Sequence, residues 1–368
     1  GNPPFVGNKR MRTALGDGYV EALRRAHDDV PETADLVMYW WNHAASLVRA
    51  ERLTRFGLIT TNSITQTFNR RVVQRHLVAS SACHLAFAVP DHPWVDSTDG
   101  AAVRVAMTVL SQSSGAGILL SLIDEEQLDD GSSRVDFRSR KGTIHADLTT
   151  GPSVSGTRAL VANQDLCLQG CKLVGDGFLL TSDERDNLIA VDHRAEAFLP
   201  RYVAGRDLTQ TEGVRYVVDF YGLDEAQARN EFAAGYQRLL HLVKPERDQN
   251  KRDTRRRNWW LFGENAPKLR RALKGLRRFI ATSEVAKHRA FVFLPLPGTL
   301  ADGSLAGIAT DDAWHLGVLS SRVHVTWAFR RGGRMGAGND PRYQNGPCFL
   351  LFPFPPSTPA QTALIRSL

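Results

Sequence analysis

Residues 34–53 (ADLVMYWWNHAASLVRAERL) are apolar over most of a helical circumference, and that pattern predicts a largely buried helix. The run Arg55–Thr61 (RFGLITT) is short and apolar and leads into Asn62-Ser63. It predicts a buried parallel strand with polar residues at its carboxyl end. Residues 64–77 return to the helical pattern. Residues 83–89 (CHLAFAV) and 101–110 (AAVRVAMTVL) predict two more strands, joined by a loop at 90–94. Helix, strand, helix, strand, loop, strand is the order found in the second half of a doubly wound α/β sheet. Ligands of such sheets sit at the carboxyl ends of the strands, so residues 2–5, 61–63 and 91–94 are expected together on one edge.

The texture changes near residue 127. Asp and Ser cluster over 127–134, and beyond them the alternation shortens and turn signals multiply. Strand-like runs stand at 177–181 (GFLLT), 216–220 (YVVDF), 291–295 (FVFLP) and 317–319 (GVL). Helical patterns break in at 223–242 and 268–279. One α/β domain is therefore expected over 1–130 and a second, α+β domain over 131–355. The ending Phe352-Pro353-Phe354-Pro355-Pro356 predicts a stiff extended connector, with 356–368 as the start of a helical region.

Composition narrows the class. With 42% hydrophobic and 23% charged residues among 368, the chain reads as a globular protein with room for two cores. No stretch reads as a signal peptide or as an apolar run long enough to cross a bilayer, so no membrane partner is expected. Cys83, Cys167, Cys171 and Cys348 include one C-x₃-C pair and no second pair at metal-ligand spacing. No metal site is expected, and so few thiols suit a reducing cytoplasm. The net charge is +7, but 15 Lys/Arg against 5 Asp/Glu between Lys244 and Arg289 give a local +10, leaving −3 for the rest. A basic excess gathered in one stretch is the footprint of a nucleic-acid surface. It is also what a solvated helix face looks like.

The opening Gly1-Asn2-Pro3-Pro4-Phe5 carries the clearest chemistry. Its prolines fix φ and have no N–H, which leaves the local carbonyls free to accept. The Asn2 side-chain oxygen and the Pro3 carbonyl can both accept from one exocyclic NH₂ group, holding its nitrogen lone pair toward a methyl donor by positioning. Phe5 offers a flat apolar face for an unstacked base. The same string is also a common turn. It stands at residue 2, where a catalytic loop would follow a core strand, so an internal piece of a longer protein is expected.

Within the basic segment, Lys244, Arg247, Lys251, Arg252, Arg255, Arg256 and Arg257 interleave with amides and end on Trp259-Trp260. Lys and Arg neutralise phosphates, while Arg, Asn and Gln also read base edges. The Trp pair suits a core anchor better than a stacking platform. Residues 268–278 (KLRRALKGLRR) predict a basic amphipathic helix whose stripe of Leu269, Leu273 and Leu276 fits packing on a domain. The Gly-rich run 332–339 lacks the Lys-Ser/Thr of a phosphate-binding loop and reads as a loop that approaches DNA closely. Arg322, Arg330, Arg331 and Arg334 around it join the expected DNA contacts. Thr60, Thr61, Asn62 and Ser63 are a polar strand end or a contact. His92 and Trp94 belong to an ordinary loop or line the pocket of an extruded base.

Taken in order, these pieces resemble the amino-methylating, S-adenosylmethionine-dependent DNA methyltransferases of the gamma arrangement. More narrowly they resemble the MmeI-type (type IIL/IIG) restriction–modification enzymes, which fuse a methyltransferase, a target-recognition domain and often an endonuclease. The resemblance is carried by Asn2-Pro3-Pro4-Phe5, by Asp35-Leu36-Val37-Met38-Tyr39-Trp40, and by 56–63 (FGLITTNS), 84–94 and 101–110. In the second half it is carried by 216–220, 243–247 (VKPER), 258–260 (NWW), 262–263, 317–322 (GVLSSR) and 352–355.

The resemblance implies a Rossmann-like methyltransferase sheet followed by a target-recognition domain, with double-stranded DNA as partner. It implies methyl transfer from S-adenosylmethionine to adenine N6 by base flipping and direct transfer. Asn2 and Pro3 would accept from the amino group, Pro4 would stiffen the turn, and Phe5 would stack on the base. Asp35 and Trp40 would lie at the cofactor, and His92 and Trp94 at the target base. Restriction–modification or phage defence in a bacterial cytoplasm is the implied setting. The family's Gly-rich cofactor motif and N-terminal nuclease have no counterpart here, so the isolated segment is expected to be inactive. Two rival readings are a DNA-specificity module without independent catalysis and an amino-methyltransferase acting on RNA or protein. Enzymes of the latter kind end soon after the last strand of the sheet, whereas here more than half the chain follows it.

Overall fold

The computed structural model describes residues 1–79, 83–94, 103–127, 133–151, 157–210, 213–335 and 340–367. Internal contacts divide the chain into two units, Gly1–Gly156 and Thr157–Leu368.

The first unit contains helices α1 (Asn8–Leu15), α2 (Asp17–Ala26), α3 (Val37–Arg49) and α4 (Thr67–Val78). Its strands are β1 (Arg55–Thr61), β2 (Cys83–Trp94), β3 (Val103–Gln112), β4 (Gly117–Gln127) and β5 (Ser133–Gly142). They form one sheet in the order β1-β3-β2-β4-β5. Strand β3 is antiparallel to both β1 and β2, β2 is parallel to β4, and β5 returns antiparallel on β4. Thus β1, β2 and β4 run one way, and β3 and β5 run against them.

The apolar wrap of α3 explains where it sits. Val37, Met38, Tyr39, Trp41, Ala45 and Val48 are buried with Ile64, Val72, Leu85 and Leu110 in one core. Trp41 is fully buried. Its indole N–H donates to Thr108 Oγ1 at 3.1 Å, and its ring meets Phe56 and His76 edge-on. Losing a side chain of this size from a packed core costs about 3–5 kcal/mol.

Three local expectations change. Strand β1, expected to be buried and parallel, pairs antiparallel with β3 on one edge and is bonded in parallel sense by Gly1 on the other, and only Thr60 is fully buried along it. Residues 90–94 are not a loop: β2 runs through them, and one extra residue enters between Val89 (opposite Met107) and His92 (opposite Val105). Pro90 offers no N–H to the ladder there, which suits an irregular step. The division between units lies after Gly156, not after residue 130, because β5 pairs with β4 along its length. Of the Asp/Ser cluster at 127–134, residues 128–132 lie outside the described residues, as do 101–102 of the second expected strand.

The second unit is α+β. Its helices are α5 (Ser182–Val191), α6 (Glu225–Glu231), α7 (Ala233–Leu242), α8 (Lys244–Asp248), α9 (Asp253–Arg257), α10 (Pro267–Leu273), α11 (Ala313–Ser320), α12 (Arg322–Arg331) and α13 (Pro359–Ser367). Its strands are β6 (Cys167–Gln169), β7 (Leu179–Leu180), β8 (Arg201–Val203), β9 (Arg215–Val217), β10 (Arg278–Ser283), β11 (Val292–Pro295), β12 (Thr299–Ala301), β13 (Leu305–Ile308), β14 (Arg334–Met335) and β15 (Asp340–Pro341). They form sheets β11-β10-β13-β6 and β12-β8-β9-β7 and the pair β14-β15.

Residues 317–319, expected as a strand, lie in α11, whose N-terminus is capped by Asp312 accepting from the Trp314 N–H at 3.0 Å. The pattern at 268–279 is helical only to Leu273. Gly275 takes φ +86° and turns the chain into β10, where Phe279 is fully buried. The helix expected at 223–242 breaks at Phe232 into α6 and α7. The C-x₃-C pair is divided between cores. Cys167 packs with Ile280, Phe349 and Cys348, whereas Cys171 packs with Phe178, Trp259 and Phe262, and burial pushes its thiol up to about 11.

Each unit holds one fully buried imidazole. His76 meets Asn42 Oδ1 at 2.7 Å, and burial, then the Arg75 charge, hold it down to about 4. His324 meets the Tyr343 hydroxyl at 3.1 Å and is likewise held down to about 4 by burial, then by Arg289. The unfolded chain takes these protons near 6.5, and the folded one refuses them until about 4. Stability is therefore complete above pH 6.5 and falls between 6.5 and 4, by up to about 3 kcal/mol per imidazole. Urea midpoints at pH 7 and 4.5 check this. The fall should shrink in a variant carrying His76→Gln and His324→Gln, and an unchanged fall would show that other groups cause it.

Candidate functional site

The Pro-rich opening is anchored at both ends. The Gly1 amino group donates to Gly57 O at 2.7 Å, and Gly1 O accepts from Ile59 N–H at 2.9 Å. These two bonds flank Leu58 as in a parallel ladder, so residues 2–5 leave toward the carboxyl end of β1. Asn2 and Pro4 are exposed, Pro3 is half-buried, and Phe5 packs against the core of the first unit. Beyond them, Val6 O accepts from Leu36 N–H at 3.0 Å.

One carboxylate collects the surrounding segments. Asp35 Oδ1 accepts from Asn8 N–H at 2.9 Å, satisfying a donor that the first turn of α1 leaves unpaired. Asp35 Oδ2 accepts from Ser63 Oγ at 2.7 Å and Asn69 Nδ2 at 2.8 Å, while Asp35 N–H donates to Asn69 Oδ1 at 2.9 Å. Asn69 also donates to Ser63 O at 3.1 Å, and the hydroxyls of Thr61 and Ser63 lie 2.6 Å apart. Thr60 points its hydroxyl to Ala106 O at 3.4 Å. Trp40, beside the buried Trp41, is 54% exposed.

A second chain of contacts runs from Asn62, whose Nδ2 donates to Asp91 Oδ1 at 3.4 Å. Arg104 binds the same oxygen at 2.6 Å and Glu125 at 2.8 Å. His92 stacks on Phe137 of β5, with centroids 5.7 Å apart, and Trp94 is half-buried. Residues 61–63 therefore touch both Asp35 and Asp91, and the Pro-rich loop joins them through Asp35. Asn8, Asn69 and Phe137 escaped sequence reasoning. Asn69 follows Ser63 by six residues with no motif around it, and Phe137 sits in a strand rich in Arg.

The basic segment of the second unit is less available than its charge suggests. Arg247, expected at DNA, is only 1% exposed. Its guanidinium lies over the Phe178 ring and donates to Leu173 O at 2.8 Å and Leu261 O at 3.3 Å. Burial lowers its pKa from the ordinary arginine value. Arg331 is buried as well, at the end of α12. Both are withdrawn from the surface, and Arg247 braces the fold through the two carbonyls it binds. Lys244 pairs with Asp248 at 2.7 Å, and Arg256 and Arg257 share Asp253 at 3.0 and 2.9 Å. Lys251, Arg252 and Arg322 are exposed, and Arg255 and Arg330 are half-buried. The side chain of Arg334 lies outside the described residues, as do residues 336–339 of the Gly-rich run. Trp259 and Trp260 are core residues, their indoles donating to Glu225 Oε1 at 3.2 Å and Leu223 O at 3.1 Å.

Residues 153–356 match the family described as the MmeI target recognition domain, and residues 1–121 match the family described as the MmeI DNA-methyltransferase domain. The chain belongs to the MmeI family. The type IIL restriction–modification enzyme MmeI, solved in complex with DNA, is similar in fold. It has a TM-score of 0.76 and 20% identity, over 100% of this chain and 48% of that one. This chain thus spans about half the length of that enzyme. The type IIG restriction endonuclease BpuSI aligns over 99% of this chain and 48% of its own, at 11% identity and a TM-score of 0.31 that bears no argument. No curated protein matches the chain.

The two roles of arginine in the MmeI-type recognition unit separate by substitution. Arg247→Ala leaves two buried carbonyls without their donor and should cost about 2–4 kcal/mol. Arg252→Ala should stay within about 0.5 kcal/mol. Urea denaturation reads both, and equal effects would contradict the buried role of Arg247.

Proposed function

We propose that this chain is the catalytic-loop half and the specificity domain of a site-specific DNA methyltransferase, working within a longer polypeptide that binds S-adenosylmethionine. The observation that carries this reading is the double anchoring of Asn2-Pro3-Pro4-Phe5 at the carboxyl end of β1, beside Ser63 and Asp35. The family match over both halves supports DNA as the substrate. The order of β1, β3 and β2, with a reversed strand between two that run alike, suits the end of a Rossmann-like sheet.

In this reading the Asn2 side-chain oxygen and the Pro3 carbonyl accept from adenine N6 and point its lone pair at the donor methyl. The target base is flipped out of the duplex and stacks on Phe5, with His92 and Trp94 on its far side. Trp40, its ring half exposed, offers a face to the cofactor. When bound, S-adenosylmethionine would supply an electrophilic methyl: its S–CH₃ bond would break as the N–C bond forms, S-adenosylhomocysteine would leave, and the amino nitrogen would shed a proton to solvent. Lys251, Arg252, Arg255, Arg257, Arg322 and Arg330, none of them buried, would meet phosphates or base edges in this reading. Restriction–modification or phage defence is the setting this activity fits.

The test is transfer of label from S-adenosylmethionine to DNA by the full-length polypeptide, with nucleosides resolved afterwards. Label should appear in N6-methyladenine and fall at least about 100-fold in Asn2→Ala. Label in N4-methylcytosine would change the base. Label in RNA or protein would change the substrate, and tight DNA binding without transfer would leave a specificity module.

A further inference from the structure

We propose that Asp35, together with Ser63 and Asn69, is a positioning device for the catalytic loop and not a ligand of the cofactor. The inference rests on the role given above to residues 2–5. Its own basis is geometric: four segments meet on one carboxylate. They are the chain leaving the Pro-rich loop (Asn8), the start of α3 (Asp35), the carboxyl end of β1 (Ser63) and the first turn of α4 (Asn69). The contact between Asp35 and Asn69 is reciprocal. The Asn69 amide donates to the carboxylate and accepts from the Asp35 N–H, and Asn69 is only 5% exposed.

An ionised carboxylate has about four acceptor sites. Protein donors here take three of them, one through Oδ1 and two through Oδ2. Bonds to an ionised acceptor are stronger than neutral ones, so these contacts outrank ordinary turn bonds. An Asp35 engaged on both oxygens is poorly suited to receive cofactor hydroxyls or an ammonium group.

Residues 2–5 are thus strung between two fixed points. Upstream, Gly1 is held by the ladder with β1. Downstream, Val6 and Asn8 are held by Leu36 N–H and Asp35 Oδ1. Arg24 adds a brace, donating to Asn8 Oδ1 at 3.2 Å and Glu32 O at 2.8 Å. The acceptors on Asn2 and Pro3 lie between these points, and although Phe5 packing and the Val6–Leu36 bond limit the movement, releasing the Asp35 contact lets them shift. A displacement of about 1 Å at a reacting centre costs on the order of 100-fold in rate.

The experiment compares Asp35→Asn, Asn69→Ala and Ser63→Thr in the full-length polypeptide. Backbone hydrogen exchange and steady-state methyl transfer to DNA are measured side by side. In Asp35→Asn and Asn69→Ala, exchange over residues 2–8 should quicken while protection in α3 and β3 persists. Their kcat per folded molecule should fall about 10- to 100-fold, with KM for S-adenosylmethionine within about twofold of the parent value. Ser63→Thr keeps the hydroxyl that binds Asp35 and should change both readouts less than Asp35→Asn does.

A raised KM for S-adenosylmethionine at unchanged kcat would overturn the proposal in favour of a cofactor ligand. Loss of α3 and β3 protection, with kcat per folded molecule intact, would leave Asp35 a purely structural residue. Unchanged exchange over residues 2–8 would remove the anchor itself. Absence of transfer by the unmutated protein would sink the functional reading and the catalytic role of the anchor with it. Exchange would still report, separately, whether Asp35 holds the loop.

Discussion

The placement of α3 on its sheet is the constraint from which the first unit follows. Trp41 is fully enclosed, bound through its indole to Thr108 and wedged between Phe56 and His76, so α3 has one rotational setting on β3 and β1. Asp35 stands immediately before that helix, and its position is inherited from the Trp41 contact rather than set by the loop it binds. A buried polar side chain with a single available partner is demanding in this way. The indole either finds Thr108 or leaves a donor unsatisfied at a cost of about 1–3 kcal/mol. The core beneath thereby determines where a surface loop of four residues can lie.

The second unit is organised differently, with no single dominant helix. Among the described residues its core is divided among three clusters, and long polar side chains are packed into it. Arg247 closes the gap between the chain before β7 and the Trp pair by binding two carbonyls, and Arg270 pairs with Asp219 at 2.7 Å beneath Tyr221. Desolvating a guanidinium is costly unless its donors are matched, and Arg270 meets that demand with a carboxylate. Positive charge in this unit therefore serves packing as well as surface potential.

How much of this was legible in the sequence depends on whether the partners are neighbours in the chain. The family was readable in part because the Asn2–Phe5 string lies in consecutive residues. Helix α3 was readable because its apolar period is long. Residues 317–319 were not, since a short apolar run fits a strand or a buried helix equally, and the Asp312 cap that decides it lies outside the run. Arg247 was misread because charge alone does not reveal burial. Asp35 was noticed through a resemblance, yet its contacts to Asn8, Ser63 and Asn69 exist only once α1, β1 and α4 have converged. The Trp259-Trp260 pair read correctly as core anchors, because two adjacent indoles carry more apolar surface than a solvated segment tolerates.

The irregular step in β2 has a consequence of parity. Directly opposed residues of an antiparallel pair share a face, so Val105 fixes the face of whatever lies across from it. With the extra residue after Val89, His92 takes that place and joins Phe87 and Val89 on their side of the sheet. Were the same residues paired without the irregular step, Asp91 would stand opposite Val105, and the ring now stacked on Phe137 would be turned to the other surface. Which of two neighbouring side chains looks into this part of the protein is thus decided by counting. Deleting one residue between Val89 and His92 would make the ladder regular and leave His92 opposite Val105, whereas a regular pairing of the unchanged sequence would exchange the imidazole for a carboxylate.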